Sequence, residues 1–336
     1  MVVLIVTTES SGIDRYSQET AKRIKTERIE TPRYLSLIGA YSFARKVGSL
    51  DDMVHLPYQH FARYAPVIKK PFLITVHDLV RCCFRFERET IMECILLKLD
   101  IRGIKKASHI IAVSQNTKSD LIKYLNIPKE RITVIYNGID HRIFRPVESK
   151  PFDEPYILYV GSERARKNLN RLFEAFSTLK EEFKGLKLVK VGAPGRSAKF
   201  RRRTIKQIES LGLNKDVIFV DAATENDLPH YYSAASLLAY PSLYEGFGLP
   251  PLEAMACGCP VVTSNTSSLP EVVGDAAITV DPYDVDALKN AMREVLTNKG
   301  LRKAMVEKGL KQAKKFSWDK TAQETQAVYE KAESIS

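Results

Sequence analysis

Short apolar runs recur along the chain, separated by longer stretches whose apolar positions return with the period of a helix. The runs at residues 2–6, 71–78, 109–114, 132–136, 156–160, 186–191, 217–220, 237–240, 260–263 and 278–280 read as strands, with a shorter one at 54–57. Runs without polar alternation predict strands covered on both faces, as in parallel sheets. The stretches at 16–25, 32–48, 89–107, 117–125, 169–182, 200–211, 228–235, 286–296, 301–316 and 318–332 read as helices. Strands alternating with helices predict an α/β fold built on parallel sheets.

The alternation breaks once. Residues 145–155 carry three prolines and no periodicity, and the pattern restarts at Tyr156 as if from a new first strand. A chain of 336 residues suits two domains better than one core. The expectation is therefore two Rossmann-like doubly wound domains, 1–148 and 149–317, with the ligand in a cleft between them.

Composition narrows the class. The chain is 44% hydrophobic and 27% charged, as globular proteins are. No apolar segment approaches the ~20 residues of a membrane span. Met1 to Thr7 has no basic region and no cleavage site, so it reads as a first strand, and a cytoplasmic location is expected. Five cysteines without metal-ligand spacing are read as reduced thiols. The net charge of +11 favours polyanionic partners: anionic lipid, phosphorylated substrates or nucleic acid. The densest basic cluster, Arg196, Lys199, Arg201, Arg202, Arg203 and Lys206, is read first as a solvated face and second as contact with an anionic membrane.

The richest chemistry lies between Tyr240 and Pro260. A buried strand ends at Tyr240, a loop with Gly246 and Gly248 follows, and Pro250-Pro251 opens a helix. Glycine lets the backbone approach a ligand, and a helix N-terminus favours phosphate. Glu245 and Glu253 bracket this loop, and carboxylates accept hydrogen bonds from sugar hydroxyls. Phosphate flanked by sugar acceptors suggests a nucleotide-sugar site. His77, with Asp78, ends a strand where ligands bind in open α/β sheets, or else is a satisfied histidine at a sheet edge. Gly12 lies in a turn between strand and helix, either an anion-binding turn or a simple connection. Asp284-Val-Asp286 reads as a helix N-cap, so no metal site is expected.

These segments together resemble the retaining glycosyltransferases of family 4, which have the GT-B fold. The signature Glu-x7-Glu stands at Glu245 and Glu253. Around it are Tyr159-Val-Gly161, Arg166-Lys167-Asn168, Pro241 to Pro250, and Leu269 to Ala277. Thr75 to Asp78, Val113-Ser114 and Val134 to Asp140 are similar to segments of the family's first half.

The resemblance implies a metal-independent hexosyltransferase. It uses no cofactor, takes a nucleotide-diphosphate sugar as co-substrate, and adds mannose or glucose to a lipid-linked or saccharide acceptor in envelope or glycan synthesis. It implies catalytic roles for His77, Glu245 and Lys167. The donor site would comprise Gly161, Arg164, Arg166, Lys167, Glu245, Gly246, Phe247, Gly248, Leu249 and Glu253, with Glu245 on the sugar and Glu253 on the ribose. Gly12 would let the acceptor domain approach the donor phosphate. The terminal helix 318–336 would complete the first domain. Ser162 stands where many relatives carry arginine, which leaves Arg164 and Arg166 as alternative pyrophosphate contacts. The implied location is cytoplasmic, peripheral on the inner face of an anionic membrane, without nucleic acid. The competing readings are another GT-B activity, epimerase or phosphorylase, and a basic binding protein with a degenerate sugar site.

Overall fold

The computed structural model describes the chain except residues 10–11, 34, 85–89, 196–197 and 335–336, and except the side chains of Ile13 and Leu37. Arg196 of the basic cluster and Glu89, the expected start of a helix, lie outside the described residues. The chain forms two compact units, Met1–Gly138 with Phe316–Ser336, and Ile139–Lys315.

The first unit runs β1 (Val2–Thr7), α1 (Gly12–Arg23), β2 (Glu27–Thr31), α2 (Leu37–Gly48), β3 (Met53–Leu56), a 3₁₀ segment (Gln59–Val67), β4 (Phe72–Val76), α3 (Val80–Cys83), α4 (Ile91–Lys106), β5 (His109–Ala112), α5 (Gln115–Leu125) and β6 (Ile132–Val134). Its sheet is parallel, in the order β2-β1-β3-β4-β5-β6. β1, β3 and β4 are buried throughout. β2 was not foreseen from the sequence, because it is an edge strand that buries only Ile29 and Thr31 and carries Glu27, Arg28 and Glu30 outward. Likewise α1 begins at Gly12 rather than Tyr16, so Gly12 opens a helix instead of sitting in a turn. Asp14 in the first turn suits that early start.

The segment Phe316–Ser336 belongs to this first unit through α13 (Trp318–Glu333). Ala322, Val328 and Tyr329 pack on Val2, Met53, Leu73, Ile111 and Ile135 from five strands or strand ends. Inside that contact His55 bonds Tyr329 Oη (2.6 Å) and Thr75 Oγ1 (2.8 Å). Burial lowers the His55 pKa to about 3, so this histidine is a neutral structural link.

The second unit runs β7 (Tyr156–Val160), α6 (Leu169–Glu182), β8 (Lys187–Val191), α7 (Ala198–Ser210), β9 (Val217–Val220), α8 (Leu228–Ala234), β10 (Leu237–Tyr240), α9 (Leu249–Ala256), β11 (Val261–Ser264), α10 (Leu269–Val273), β12 (Ile278–Val280), α11 (Val285–Thr297) and α12 (Lys299–Ala313). Its parallel sheet has the order β12-β11-β10-β7-β8-β9. The Pro-rich stretch 145–155 belongs to this unit, where Val147 N–H donates to Ser233 Oγ (3.1 Å). Asp284 caps α11 by accepting from Ala287 N–H (2.8 Å).

In both sheets the strand order reverses at one place, between β1 and β3 and between β7 and β10. Such switch points leave a crevice at the carboxyl ends of the strands, where ligands bind in open α/β sheets.

Candidate active site

The β7/β10 switch point gathers the expected donor residues. The loop after β7 ends in a 3₁₀ turn, Ala165–Lys167, and Asn168 follows in the left-handed region (φ 60°). Asn168 Nδ2 donates to the Pro241 (2.9 Å) and Pro282 (2.7 Å) carbonyls. The Arg166 carbonyl accepts from Leu243 N–H (2.8 Å) and Ser242 Oγ (3.1 Å). These bonds join the loop after β7 to the loop after β10 and fix Lys167 beside Glu245.

Glu245 is buried and fully engaged. Its Oε1 accepts from Lys167 Nζ (2.7 Å), Ser242 Oγ (2.5 Å) and Tyr240 Oη (3.1 Å), and its Oε2 from Arg166 Nη1 (2.9 Å). Burial opposes its charge, but Arg166 and Lys167 outweigh burial and hold its pKa at about 2. Lys167 also donates to Tyr240 Oη (2.5 Å), and Tyr240 stacks on Tyr159 with ring centroids 6.0 Å apart. Burial lowers the Lys167 ammonium pKa to about 8, against the attraction of Glu245. A buried carboxylate survives only with such a full set of donors.

The loop to α9 turns at Gly248, whose φ of 123° excludes most side chains. Ser268 Oγ donates to the carbonyls of Glu245 (2.9 Å) and Phe247 (2.5 Å), and Glu245 N–H donates to Ser267 Oγ (3.0 Å). The N–H groups of Gly248 and Leu249 have no partner among the described residues. Pro250 and Pro251 carry no N–H, and that of Leu252 is bonded to the Gly248 carbonyl (3.3 Å). Glu253, inside α9, is buried and accepts from Tyr232 Oη (2.9 Å).

The arginines are placed differently. Arg166 is committed to Glu245 and to the Tyr244 carbonyl (2.8 Å), whereas Arg164 is exposed. Between them and the sheet, Glu163 is buried against Lys190 (3.1 Å) of β8 and Arg201 (2.7 Å) of α7. Arg201 also pairs with Asp221 (2.5 Å) and lies 4.1 Å over the Phe219 ring. Part of the basic cluster thus braces the loop that starts at Gly161 instead of forming a solvated face. Sequence reasoning missed Tyr232, Ser242, Ser267, Ser268, Glu163 and Lys190 as site-building residues. A lysine inside an apolar strand was the one signal for this network.

In the first unit, His77 follows β4 and is buried. Its Nε2 lies 2.9 Å from the Pro57 carbonyl and must donate to it, so Nδ1 is the acceptor, without a partner among the described residues. Burial lowers its pKa, more than Pro57, Asp78 and Asp14 raise it, so the ring is neutral near pH 7. Asp14 of α1 pairs with Arg33 (2.9 Å).

The family model for Glycosyl transferases group 1 matches residues 140–312, and that for Glycosyltransferase Family 4 matches residues 3–142. The chain is similar to the O-antigen chain mannosyltransferase B of Escherichia coli, 31% identical over 95% of this chain and 96% of that one. A serotype-specific mannosyltransferase of the same organism, WbdA, is 32% identical over 65% of this chain, which spans only 28% of that longer protein. Among solved structures, HepE of Anabaena in complex with UDP-glucose superposes with a TM-score of 0.82 at 16% identity, over 98% of this chain and 99% of that one. The fold is GT-B, and the chain belongs to glycosyltransferase family 4. It is a glycosyltransferase, and among the described residues no helix is long and apolar enough to cross a membrane.

Proposed function

We propose that the chain transfers a hexosyl group, mannosyl in the first instance, from a nucleoside diphosphate sugar to a lipid-linked or saccharide acceptor in surface-polysaccharide synthesis. Transfer proceeds with retention and without a metal ion or cofactor. The observation that carries this reading is Glu245 held between Lys167 and Arg166 at the β7/β10 switch point. The likeness to a mannosyltransferase along nearly the whole chain supports the sugar.

The donor diphosphate draws on Lys167, on Arg166 or the exposed Arg164, and on the N–H groups of Gly248 and Leu249. The hydroxyls of the sugar bond Glu245 in place of part of its present donors. Glu253, oriented by Tyr232, accepts from the ribose. As the bond from the anomeric carbon to the phosphate oxygen breaks, charge grows on the leaving diphosphate, where aligned cations and N–H groups stabilise it. The acceptor hydroxyl bonds the anomeric carbon from the same face and gives its proton to the leaving phosphate oxygen. His77 Nδ1 orients a hydroxyl by accepting from it. With Asp284 engaged as a cap, the fixed cations take the charge-balancing part of a metal. Such a reaction belongs in the cytoplasm, at the inner membrane face.

Incubation with UDP-, GDP- and ADP-sugars tests this directly. The expected result is donor loss only when an acceptor is present, a product with the donor's anomeric configuration by NMR, and no effect of EDTA. Epimerised donor without acceptor, an inverted product, or loss of activity in EDTA would each overturn the corresponding part.

A further inference from the structure

The two faces of the first sheet are unequally covered. Alternate residues of each strand face opposite sides, so Val3, Val54, Ile74 and Ile110 join one core cluster and Val2, Met53, Leu73 and Ile111 another. α2, α4 and α5 pack on the first of these faces through Phe43, Val47, Ile104, Leu121 and Leu125. Among the described residues the second face is covered by α13, through Ala322, Val328 and Tyr329, and by α1, whose Ala21 packs on Leu4 and Val6. Six strands about 4.8 Å apart span about 24 Å between the outer two, whereas two helices about 10 Å across cover only about 20 Å. α1 lies over β1 and against α13, so the shortfall comes at β5 and β6.

A cavity of about 810 Å³ occupies that place. Pockets for small molecules run from about 300 to about 1,000 Å³. One wall is a stripe of α13 at helical spacing, Glu324, Ala327, Val328 and Lys331. Met53 and Ile135 add apolar surface from the sheet. His109 of β5 and Thr133 of β6 also line it, half-buried and joined by a 2.8 Å hydrogen bond from His109 Nε2 to Thr133 Oγ1 or the reverse. The cavity reaches the first residues of β3 and β5 and Lys70-Pro71 just before β4, which is the amino edge of the sheet. His77 follows β4 at the carboxyl edge, so this is a second place for a ligand.

The charge around the cavity is mostly positive. Lys70 and Lys331 line it, both are exposed, and neither ammonium has a carboxylate partner among the described residues. Glu324, on the same lining, has Lys320 at 3.9 Å. After burial, the groups that lower the His109 pKa are Lys331, Arg131 and Lys118, all cations. Arg131 and Lys118 already donate to the carbonyls of Lys105 and Ile132, which leaves Lys331 its charge to offer. We propose that this cavity binds a small amphipathic anion, with a compact apolar body against Met53, Ile135 and Val328 and one carboxylate, sulfonate or phosphate group met by Lys70 and Lys331. Apolar walls with a few convergent polar groups are the usual composition of such a site.

Fluorescence titration of the whole chain with anilinonaphthalene sulfonate tests the proposal, set against phenylnaphthylamine, which has the same rings and no charge. The assay involves no sugar transfer, so its result is independent of the proposed function. Wild type is expected to bind the sulfonate at one site that UDP does not displace. Lys70→Glu/Lys331→Glu should weaken the sulfonate about tenfold or more and leave the neutral compound unchanged. Ala327→Trp, which puts an indole on the cavity wall, should weaken both about tenfold or more. All three positions are exposed, so both variants should keep the wild-type melting temperature. The proposal is overturned by absence of wild-type binding, by displacement with UDP, by unchanged sulfonate binding in either folded variant, or by equal weakening of both compounds in the charge variant. A dimer in sedimentation velocity that Ala327→Trp converts to monomer would also overturn it, because the cavity would then be covered by a second copy.

Discussion

The carboxyl edges of the two sheets share a scaffold and differ in chemistry. Each sheet has six parallel strands and one reversal of strand order. At the second, Lys167 and Arg166 converge on a single buried carboxylate, two cations against one anion. At the first, a neutral histidine has one nitrogen tied to Pro57, and the nearby carboxylate Asp14 pairs with Arg33. The same backbone device therefore yields one edge with two cations around a carboxylate and one with a neutral histidine, and the proposed division into a donor edge and an acceptor edge rests on that difference in charge rather than on topology.

The comparison breaks most sharply at Lys167 and Glu245. Lys167→Ala is expected to lower kcat/KM for the donor by roughly 10²–10³, the scale of one lost charge-stabilising group. Glu245→Ala should lose activity as severely and also destabilise the fold by about 3 kcal/mol, because it strands the buried Lys167 and the half-buried Arg166. Melting curves read beside the kinetics separate these two outcomes. At the other edge, His77→Ala should lower kcat only about tenfold, the worth of one hydrogen bond to an oriented hydroxyl, and leave donor affinity unchanged. A donor affinity that fell with His77→Ala would blur the distinction.

The pH profile sharpens it further. Lys167, lowered to about 8, is charged below that pH and neutral above it, whereas Glu245, held at about 2, stays ionised throughout. Donor kcat/KM should therefore fall above pH 8 by about tenfold per unit. His77, lowered from its usual value, is neutral at pH 7 and should give no inflection there. The smallest effect is expected away from both edges. Asp284→Ala should cost about 1 kcal/mol in a melting curve through loss of the α11 cap, with activity unchanged.

The two edges were unequally legible in the sequence. The loops after β7 and β10 are short, contiguous segments whose glycine, proline and charged residues have local meaning, so Glu245 and Gly248 could be singled out directly, and Lys167 through the family resemblance. What fixes them is not local. Lys190 and Arg201 reach Glu163 from β8 and α7, and Asn168 ties down two distant carbonyls, contacts that only the folded sheet creates. In the first unit, β2 was hidden because an edge strand with three charged residues out of five lacks an apolar run.

The central claim is that the β7/β10 switch point is a diphosphate site. The most direct test is calorimetric titration of the whole chain with a nucleoside diphosphate and with the matching monophosphate, for wild type and for Lys167→Ala. The account predicts that wild type prefers the diphosphate by at least about tenfold, one charge-assisted contact's worth, and that Lys167→Ala removes the preference. Equal binding of the two ligands by wild type, or a preference that survives in Lys167→Ala, would contradict it.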